Sequence, residues 1–409
     1  MSELQQVCQH AQSSQYDEPS WSSNTYQPPA NLDGITQQAI HTYMYSKQSD
    51  GTMGGLGWGW QSANGYTALA LHELWSGGRN NYQDVADAVK TTERNHSGLT
   101  NEFNDDTLWW AMCCIHLYSA AGDPWFLNKA KDIWGYMHAK HAVCGRGRVF
   151  FRGRDMEGAC YWTTRDGEEA INTVTTGLYA ELCARLALVE RGTQTKHEHL
   201  SWLLHQKKAG YGDYIEAARC SLGWILRCRY RVEDGIILDS IMLKKDEEID
   251  WTFTYTTGIA IGVCALLYEL LGQPEYLELA LHLANKAMRN TSWVEQNGTL
   301  TEPGAYGQGK HDPWEDSDGI GFKSVLIRQL GTLYEVLVRT RPDHQKAMAT
   351  AHLIKTFINV NFQSQQERNT NGNGQYGPWW NGPFEAPTSH SQMAAMDVMA
   401  AVRLVNAGR

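Results

Sequence analysis

The sequence predicts an all-α protein, an (α/α)6 barrel of six helical hairpins. Three observations support this fold class. Helical periodicity recurs along the 409 residues, while strand alternation is scarce. One helix–turn–helix segment is repeated. Helices that are apolar on all sides alternate with helices that are apolar on one face. An open solenoid of stacked hairpins is the alternative, and the long loops between hairpins favour closure into a ring.

Twelve segments carry the apolar spacing of helices, and most end at a glycine, in some cases followed by a proline. In chain order they cover residues 34–48, 60–76, 80–94, 105–121, 124–140, 168–191, 210–229, 252–271, 274–290, 321–340, 343–361 and 389–407. The loops between them are long at 141–167, 232–250, 292–320 and 362–388. Two of these loops contain short β-like runs, at 149–151 and 236–238.

The repeated segment is a hairpin turn. Residues 117–127 match residues 267–277. Each copy contains the end of an apolar helix, a glycine that stops it and a proline that opens the next helix. An aromatic–leucine pair follows in both copies. One hairpin used several times therefore explains the twelve helices.

The apolar pattern separates inner from outer helices. Segments 105–121, 168–191 and 252–271 are apolar or small on nearly all sides, which is typical of buried helices. Segments 80–94, 124–140, 274–290 and 343–361 carry charge on one face and are expected outside. We expect six inner helices, at 60–76, 105–121, 168–191, 252–271, 321–340 and 389–407. Their amino-terminal ends would share one mouth of the barrel, where the positive ends of their dipoles converge.

The chain is expected to form a single domain. Residues 1–30 read as a polar, loop-like extension and residues 31–409 as the barrel. The extension has no basic patch followed by an apolar run, so it is not a signal peptide. The sequence leaves the compartment open: we expect a soluble protein, secreted if a signal was removed and cytoplasmic otherwise.

Composition excludes several classes of protein. The formal charge of −10 argues against nucleic-acid binding, which needs a clustered basic face. No run of about 18 apolar residues is present, so we expect no transmembrane segment. The nine cysteines include no CxxC pair, and neither a metal nor a cofactor is expected. Cys144 and Cys160 flank a Gly- and Arg-rich loop, and the sequence leaves their pairing open. A monomer is expected.

Asp105 and Asp106 are the strongest candidates for catalysis. They open an inner helix and are followed at once by Trp109 and Trp110. First-turn acids are common because the helix dipole favours them. Beside a buried helix, however, at least one should point into the barrel. A retaining glycosidase needs two carboxyls about 5–5.5 Å apart, and environments that separate their pKa values.

Flat aromatic rings and amides near the same mouth predict a carbohydrate or other small-molecule cleft, because rings stack on sugars and amides bond to hydroxyls. The 16 Trp and 19 Tyr against 9 Phe agree with such a cleft, although a bulky core explains them too. The expected substrate-binding residues are Trp60, Asn64, Asn104, Trp109, Trp162, Asn172, Tyr255, Thr256 and Trp380.

Three further motifs are weaker. His197, Glu198, His199 and His205 have metal-binding chemistry but lie in a polar stretch that is better explained as a solvated loop. The Gly-rich segment 54–59 lacks the Lys-Ser/Thr of a phosphate-binding loop. The acidic run 246–250 is expected to be a solvated loop, with a cleft wall as the alternative.

The motifs together resemble glycoside hydrolase family 76, the endo-α-1,6-mannanases and their fungal cell-wall relatives. Residues 104–111, Asn-Asp-Asp-Thr-Leu-Trp-Trp-Ala, resemble the family's Asp-Asp signature. Similar stretches follow in the family's order over about residues 34–407: 60–64, 161–162 with 169–172, 253–255 with 258 and 266–268, and 380–384 with 391–392 and 396–397.

The resemblance implies an (α/α)6 barrel and retaining hydrolysis or transfer at α-1,6-mannosidic bonds. It implies that Asp105 is the nucleophile and Asp106 the general acid/base, whose pKa should then be the raised one. Two differences affect the same mouth. Thr256-Thr257 stands where the family usually has Asn-Gln, and Glu168-Glu169 where it usually has Lys.

Because of these differences, two alternatives to a mannan-directed enzyme stay open. The first is a barrel of this type reassigned to a non-polysaccharide small molecule in specialised metabolism, with the Asp pair as acid and base. The second is a non-catalytic glycan-binding barrel, against which the retained Asp pair argues.

Overall fold

A computed structural model describes residues 3–407 except 166, 168, 198–208, 303–317 and 342. Within these residues the helices are α1 (Glu3–Ser13), α2 (Leu32–Tyr45), α3 (Trp60–Ser76), α4 (Tyr82–Asn95), α5 (Asn104–Ala121), α6 (Pro124–Ala139), α7 (Thr173–His197), α8 (Tyr211–Cys228), α9 (Thr254–Leu271), α10 (Pro274–Ala287), α11 (Asp318–Thr340), α12 (Gln345–Arg368) and α13 (Ser389–Val405). The strands are β1 (Phe150–Phe151), β2 (Arg154–Asp155), β3 (Ala170–Asn172), β4 (Tyr230–Arg231), β5 (Ile236–Ile237), β6 (Ser240–Met242) and β7 (Glu247–Ile249).

Six helices form a closed inner ring. Helix α3 packs against α5, α5 against α7, α7 against α9, α9 against α11, α11 against α13, and α13 returns to α3. The outer helices α4, α6, α8, α10 and α12 each pack on the inner helix that precedes them, and α2 packs on α13. The (α/α)6 barrel is thereby confirmed, and its closure excludes the open solenoid.

The repeated turn ends an inner helix in the same way in both copies. Gly122 and Gly272 adopt left-handed φ values of 76° and 66° after α5 and α9. Each donates its backbone N–H to the carbonyl of a tyrosine four residues earlier, Tyr118 or Tyr268. A left-handed residue after a helix favours glycine because a Cβ would be strained there. The glycine ends the inner helix sharply enough for the outer helix to return along it.

Buried polar contacts tie the ring together. The guanidinium of Arg328 on α11 is buried and donates to Asp397 on α13 over 2.8–2.9 Å and to Asn64 Oδ1 on α3 over 2.6 Å. A buried charge is tolerated when it is paired and hydrogen-bonded. The three-helix contact fixes the point at which the last inner helix meets the first.

A small antiparallel sheet covers one side of the mouth. Its strand order is β3-β6-β7, with Ile171 opposite Ile241 and Ile241 opposite Glu248. The predicted start of a helix at residue 168 is wrong. Residues 170–172 pair with β6 instead, so α7 begins at Thr173. The β-like runs at 149–151 and 236–238 are confirmed as β1 and β5.

The prediction of a loop-like amino terminus is also wrong. Residues 3–13 form α1, which packs on α8 and α10. Val7, Cys8 and Ala11 on its inner face are buried. Further along, the ring of Trp21 is buried and lies 5.1 Å from that of Phe357 on α12. The segment before α2 therefore packs against the outer helices.

The core contains eight of the nine cysteines and the most apolar helix. All nine cysteines are free thiols, including Cys144 and Cys160, both buried. Within the described ranges, α9 alone has the length and composition of a membrane span. It is 89% buried by the rest of the barrel, as an inner helix should be.

Candidate active site

A cavity of about 1320 Å³ opens where the amino-terminal ends of α3, α5, α9 and α11 meet. Trp60, Asp105, Tyr255 and Phe322 come from these four helix starts. The β3-β6-β7 sheet and the segment between β7 and α9 supply the opposite wall. The cavity therefore lies at the mouth that the helix pattern predicts.

The two aspartates lie at the floor of this cavity, and each is oriented by its own donors. Asp105 Oδ2 accepts a hydrogen bond from Trp162 Nε1 over 3.1 Å, and its Oδ1 accepts the backbone N–H of Asp106 over 3.0 Å. Asp106 Oδ1 accepts the backbone N–H of Trp60 over 3.1 Å, and its Oδ2 accepts Asn101 Nδ2 over 2.9 Å. Neither aspartate is the N-cap residue of α5, which is Phe103, although Asp105 accepts one first-turn amide of that helix. Both carboxyls line the cavity.

Burial raises the pKa of both carboxyls. The pKa of Asp105 rises to about 8, first because the carboxyl is removed from water and then because Asp106 lies beside it. The pKa of Asp106 is also raised by burial, although the Asn101 and Trp60 donors oppose the change. The pKa of Asp106 is raised, as expected, and that of Asp105 is raised as well. Since two adjacent carboxylates repel when both are ionised, removal from water and this repulsion both favour a proton on the pair.

Two further carboxylates share the cavity. Asp318 at the start of α11 accepts Trp60 Nε1 over 3.2 Å and Gln61 Nε2 over 3.1 Å, and its charge raises the pKa of Asp106. Burial raises the pKa of Asp239 to about 6. Together, the described lining has six carboxylates and one lysine. Such a cavity favours neutral or cationic ligands over anionic ones.

Five of the nine expected substrate-binding residues line the cavity. They are Trp60, Trp109, Trp162, Asn172 and Tyr255. The rings of Trp60 and Trp109 are 6.4 Å apart, and Trp162 packs on Phe103 across the floor at 5.2 Å. These flat faces surround the Asp pair, as a sugar-binding cleft requires.

The other four residues do not reach the cavity, and each has a structural partner or position instead. Asn64 is buried one turn further along α3, where it bonds to Arg328. Asn104 donates to the carbonyl of Tyr161 over 2.8 Å. Thr256 donates to the carbonyl of Ile237 over 2.8 Å. Trp380 is buried beneath Lys323, whose Nζ lies 4.9 Å from its ring.

Several lining residues are not among the expected substrate-binding residues. Gln61 and Phe322 lie at helix starts that the helix pattern does place at this mouth. Asp318 starts α11 three residues earlier than the apolar pattern indicates. Glu247 and Asp250 belong to the acidic run, which therefore walls the cleft rather than standing only in solvent.

The weaker metal and phosphate motifs gain no support. The candidate cluster of His197, Glu198, His199 and His205 lies outside the residues whose side chains the structure describes. Elsewhere in the described chain, no group of three or more His, Cys, Asp or Glu could hold a metal ion. The Gly-rich loop before α3 runs beside Asp106 instead: a Cβ built at Gly59 would lie 3.5 Å from Asp106 Oδ2.

Comparisons with known proteins agree with this architecture. The family model described as glycosyl hydrolase family 76 matches residues 30–408. No match was found among curated protein sequences.

Among solved structures, an α-1,6-mannanase of Salegentibacter sp. HEL1_6 is 20% identical, with a TM-score of 0.71 over 92% of this chain and 100% of that one. An inactive variant of that enzyme in complex with α-1,6-mannotriose is 19% identical, with a TM-score of 0.71 over the same shares. Dfg5 from Chaetomium thermophilum in complex with glucosamine is 15% identical, with a TM-score of 0.70 over 93% of this chain and 92% of that one.

Proposed function

The chain belongs to glycosyl hydrolase family 76, whose model spans residues 30–408, and on this premise we propose that it hydrolyses or transfers α-1,6-linked mannosides with retention at the anomeric carbon. The observation that carries the proposal is the Asp pair. Asp105 and Asp106 are adjacent, half-buried and separately hydrogen-bonded at the floor of an aromatic cavity. Two such carboxyls are what a retaining mechanism needs.

In the proposed reaction Asp105 attacks the anomeric carbon while Asp106 gives its proton to the leaving oxygen. The glycosidic bond breaks and an ester forms between the sugar and Asp105. Asp106, now ionised, then takes a proton from water, which attacks the same carbon and releases Asp105. A sugar hydroxyl in place of water would give transfer.

The scheme requires a proton on Asp106 before the glycosidic bond breaks. Burial raises the pKa of both carboxyls, and the scheme needs the proton on Asp106. A glycosidic oxygen that contacts Asp106 would favour the protonated form of that carboxyl, because only that form can donate to it. The negative charge of Asp318 acts in the same direction. The reverse assignment, with Asp106 as nucleophile, is the competing outcome for kinetics to decide.

The ligand is expected to be uncharged or cationic. Rings such as Trp60, Trp109 and Trp162 stack on the apolar faces of a pyranose, and the surrounding carboxylates accept its hydroxyls. The carboxylate excess also favours a second candidate substrate, a glycoside that contains an amino sugar. The solved structure of Dfg5 contains glucosamine. The third candidate is a small molecule of specialised metabolism that uses the same acid and base.

The test is a panel of substrates. Wild-type protein is incubated with linear α-1,6-mannooligosaccharides and with α-mannosides linked to glucosamine, and the products are followed by NMR. Retention should appear as the α-anomer forming first. The Asp105→Asn variant is the control for contaminating activity. The β-anomer as first product would exclude the double-displacement mechanism. Turnover of the amino-sugar glycoside alone would replace mannan as the substrate.

A further inference from the structure

The aromatic rings of the cavity continue well past the Asp pair. From Trp109 at the floor, ring centroids follow one another to Trp60 at 6.4 Å, Phe322 at 5.5 Å and Phe253 at 5.2 Å. The last step, from Phe253 to Trp251, is an edge-on contact of 5.9 Å. All five residues line the cavity. An unbroken aromatic surface therefore leads from the reacting centre to the rim.

Trp251 is the last ring of this aromatic surface and is exposed to solvent. Its relative exposure is 63%, and within the described residues it is the only tryptophan that is exposed. A tryptophan is normally buried over most of its large apolar surface. Trp251 lies two residues before Phe253, the extended N-cap residue of α9, and both side chains line the cavity. One ring is packed inside the cavity, and the other leaves its face open at the entrance.

The segment that carries Trp251 is held in place by a buried arginine. The guanidinium of Arg229, with no exposed side-chain surface, donates to Glu248 Oε2 over 3.0 Å, to the carbonyl of Ile249 over 2.8 Å and to Asp250 Oδ1 over 2.7 Å. These three residues immediately precede Trp251. A contact surface fixed before binding loses less entropy when the ligand arrives. The exposed ring is thus presented on a preorganised strand end.

We propose that Trp251 is a binding platform for a sugar residue remote from the bond that is cleaved. It stacks on a hexose of the same neutral, linear oligosaccharide whose scissile bond lies at the Asp pair. The inference rests on the proposed function for its substrate class. It adds that the cleft selects chains long enough to reach the rim.

The size of the cavity agrees with an extended ligand. Its volume of about 1320 Å³ exceeds the range of roughly 300–1,000 Å³ that is typical of small-molecule pockets. Asp250, the residue before Trp251, also lines the cavity, and its carboxylate remains exposed beside its bond to Arg229. An apolar aromatic face and a carboxylate acceptor are the two kinds of group that a pyranose binds.

The experiment compares short and long chains. Wild type, Trp251→Ala and Trp251→Phe are assayed on α-1,6-mannooligosaccharides of two and of six residues. An aromatic contact contributes about 3- to 10-fold in affinity. We expect Trp251→Ala to lower kcat/KM for the hexasaccharide by that factor and to leave kcat/KM for the disaccharide within about 2-fold of wild type. Trp251→Phe should retain most of the preference for the longer chain. The matched control is Phe150→Ala, which removes an exposed ring outside the cavity lining and should change neither substrate.

Binding to the Asp105→Asn variant, with and without Trp251→Ala, is measured by calorimetry with the same two chains. Hydrolysis of both chains with no length-dependent loss in Trp251→Ala would overturn the platform and leave the proposed function standing. Tighter binding of the hexasaccharide that depends on Trp251, without turnover by wild type, would support the platform and overturn the proposed function. Absence of both binding and turnover would overturn both.

Discussion

Trp60 donates its indole N–H to Asp318 over 3.2 Å. Its backbone N–H donates to Asp106 over 3.1 Å. One residue thus connects a carboxylate of α11 with the Asp pair of α5. Trp60 is therefore held by its indole and by its backbone, and the charge of Asp318 acts on the carboxyl that we propose as the acid.

Replacement of Asp318 by asparagine should separate the effect of its negative charge from the effect of its hydrogen bonds. The amide oxygen can still accept from Trp60 and Gln61, but the negative charge that raises the pKa of Asp106 is lost. The pKa of Asp106 should fall, so the alkaline limb of kcat/KM against pH should move down by about half to one pH unit. Asp318→Ala should in addition raise KM. Asp84→Asn on α4 is the remote control, and an unchanged alkaline limb in Asp318→Asn would remove Asp318 from the tuning of Asp106.

The roles of the two aspartates can be separated by the leaving group. Asp105→Asn should abolish turnover of aryl and natural mannosides alike, because no glycosyl-enzyme can form. Asp106→Asn should still form the intermediate from an aryl mannoside, whose leaving group needs little protonation. On the natural substrate it should lose about 100- to 10,000-fold. Pre-steady-state release of the phenol measures the first step, and the opposite pattern would make Asp106 the nucleophile.

Asp105 should also make stability depend on pH. Its pKa is about 8 in the folded protein against about 3.9 in an unfolded chain. The folded state therefore binds the proton more tightly, and the contribution of Asp105 to stability is lost as pH rises from about 4 to about 8. Asp105→Asn cannot ionise, so its free energy of unfolding relative to that of wild type should increase as the pH rises from about 4 to about 8. Urea denaturation at pH 5 and pH 8 checks this. A constant difference at the two values would contradict the shifted pKa.

The close approach of inner helices can be tested at Gly258. A Cβ there would lie 2.9 Å from Leu326 Cα and 3.3 Å from Leu326 N, which are backbone atoms that cannot rotate away. Gly258→Ala should lower the free energy of unfolding by about 1–3 kcal/mol. Gly135→Ala on α6 is the matched control, because a Cβ there meets nothing within 4 Å. That variant should gain up to about 1 kcal/mol from helix propensity. Equal effects at both positions would contradict tight packing of α9 against α11.

The helices were predictable because their signals are local. Gly122 and Gly272 stop α5 and α9 at the residues where the apolar pattern ends. The start of α7 was not predictable, because residues 170–172 become a strand only when β6, some seventy residues later, pairs with them. Helix α1 was missed because its polar sequence buries only a narrow face.

The residues of the site were likewise predictable where the signal is local and not where it depends on contacts between distant segments. Asp105, Trp60 and Tyr255 stand at the first turns of inner helices, and counting along the helices places them at the mouth. Asn64 lies one turn deeper, and its partner Arg328 belongs to a helix that only the closed ring brings near. Trp251 was overlooked because nothing local distinguishes an exposed tryptophan in a loop from one that is buried.

Closure of the inner ring by α13 against α3 has a consequence for biosynthesis. A ribosome releases the chain from its amino-terminal end, so α3 emerges more than three hundred residues before the helix that will cover its open flank. Until then the nascent chain exposes apolar surface that the finished barrel buries, and contacts of such long sequence separation form slowly. The protein should therefore depend on chaperones during translation more than a helical bundle of equal size built from neighbouring hairpins alone.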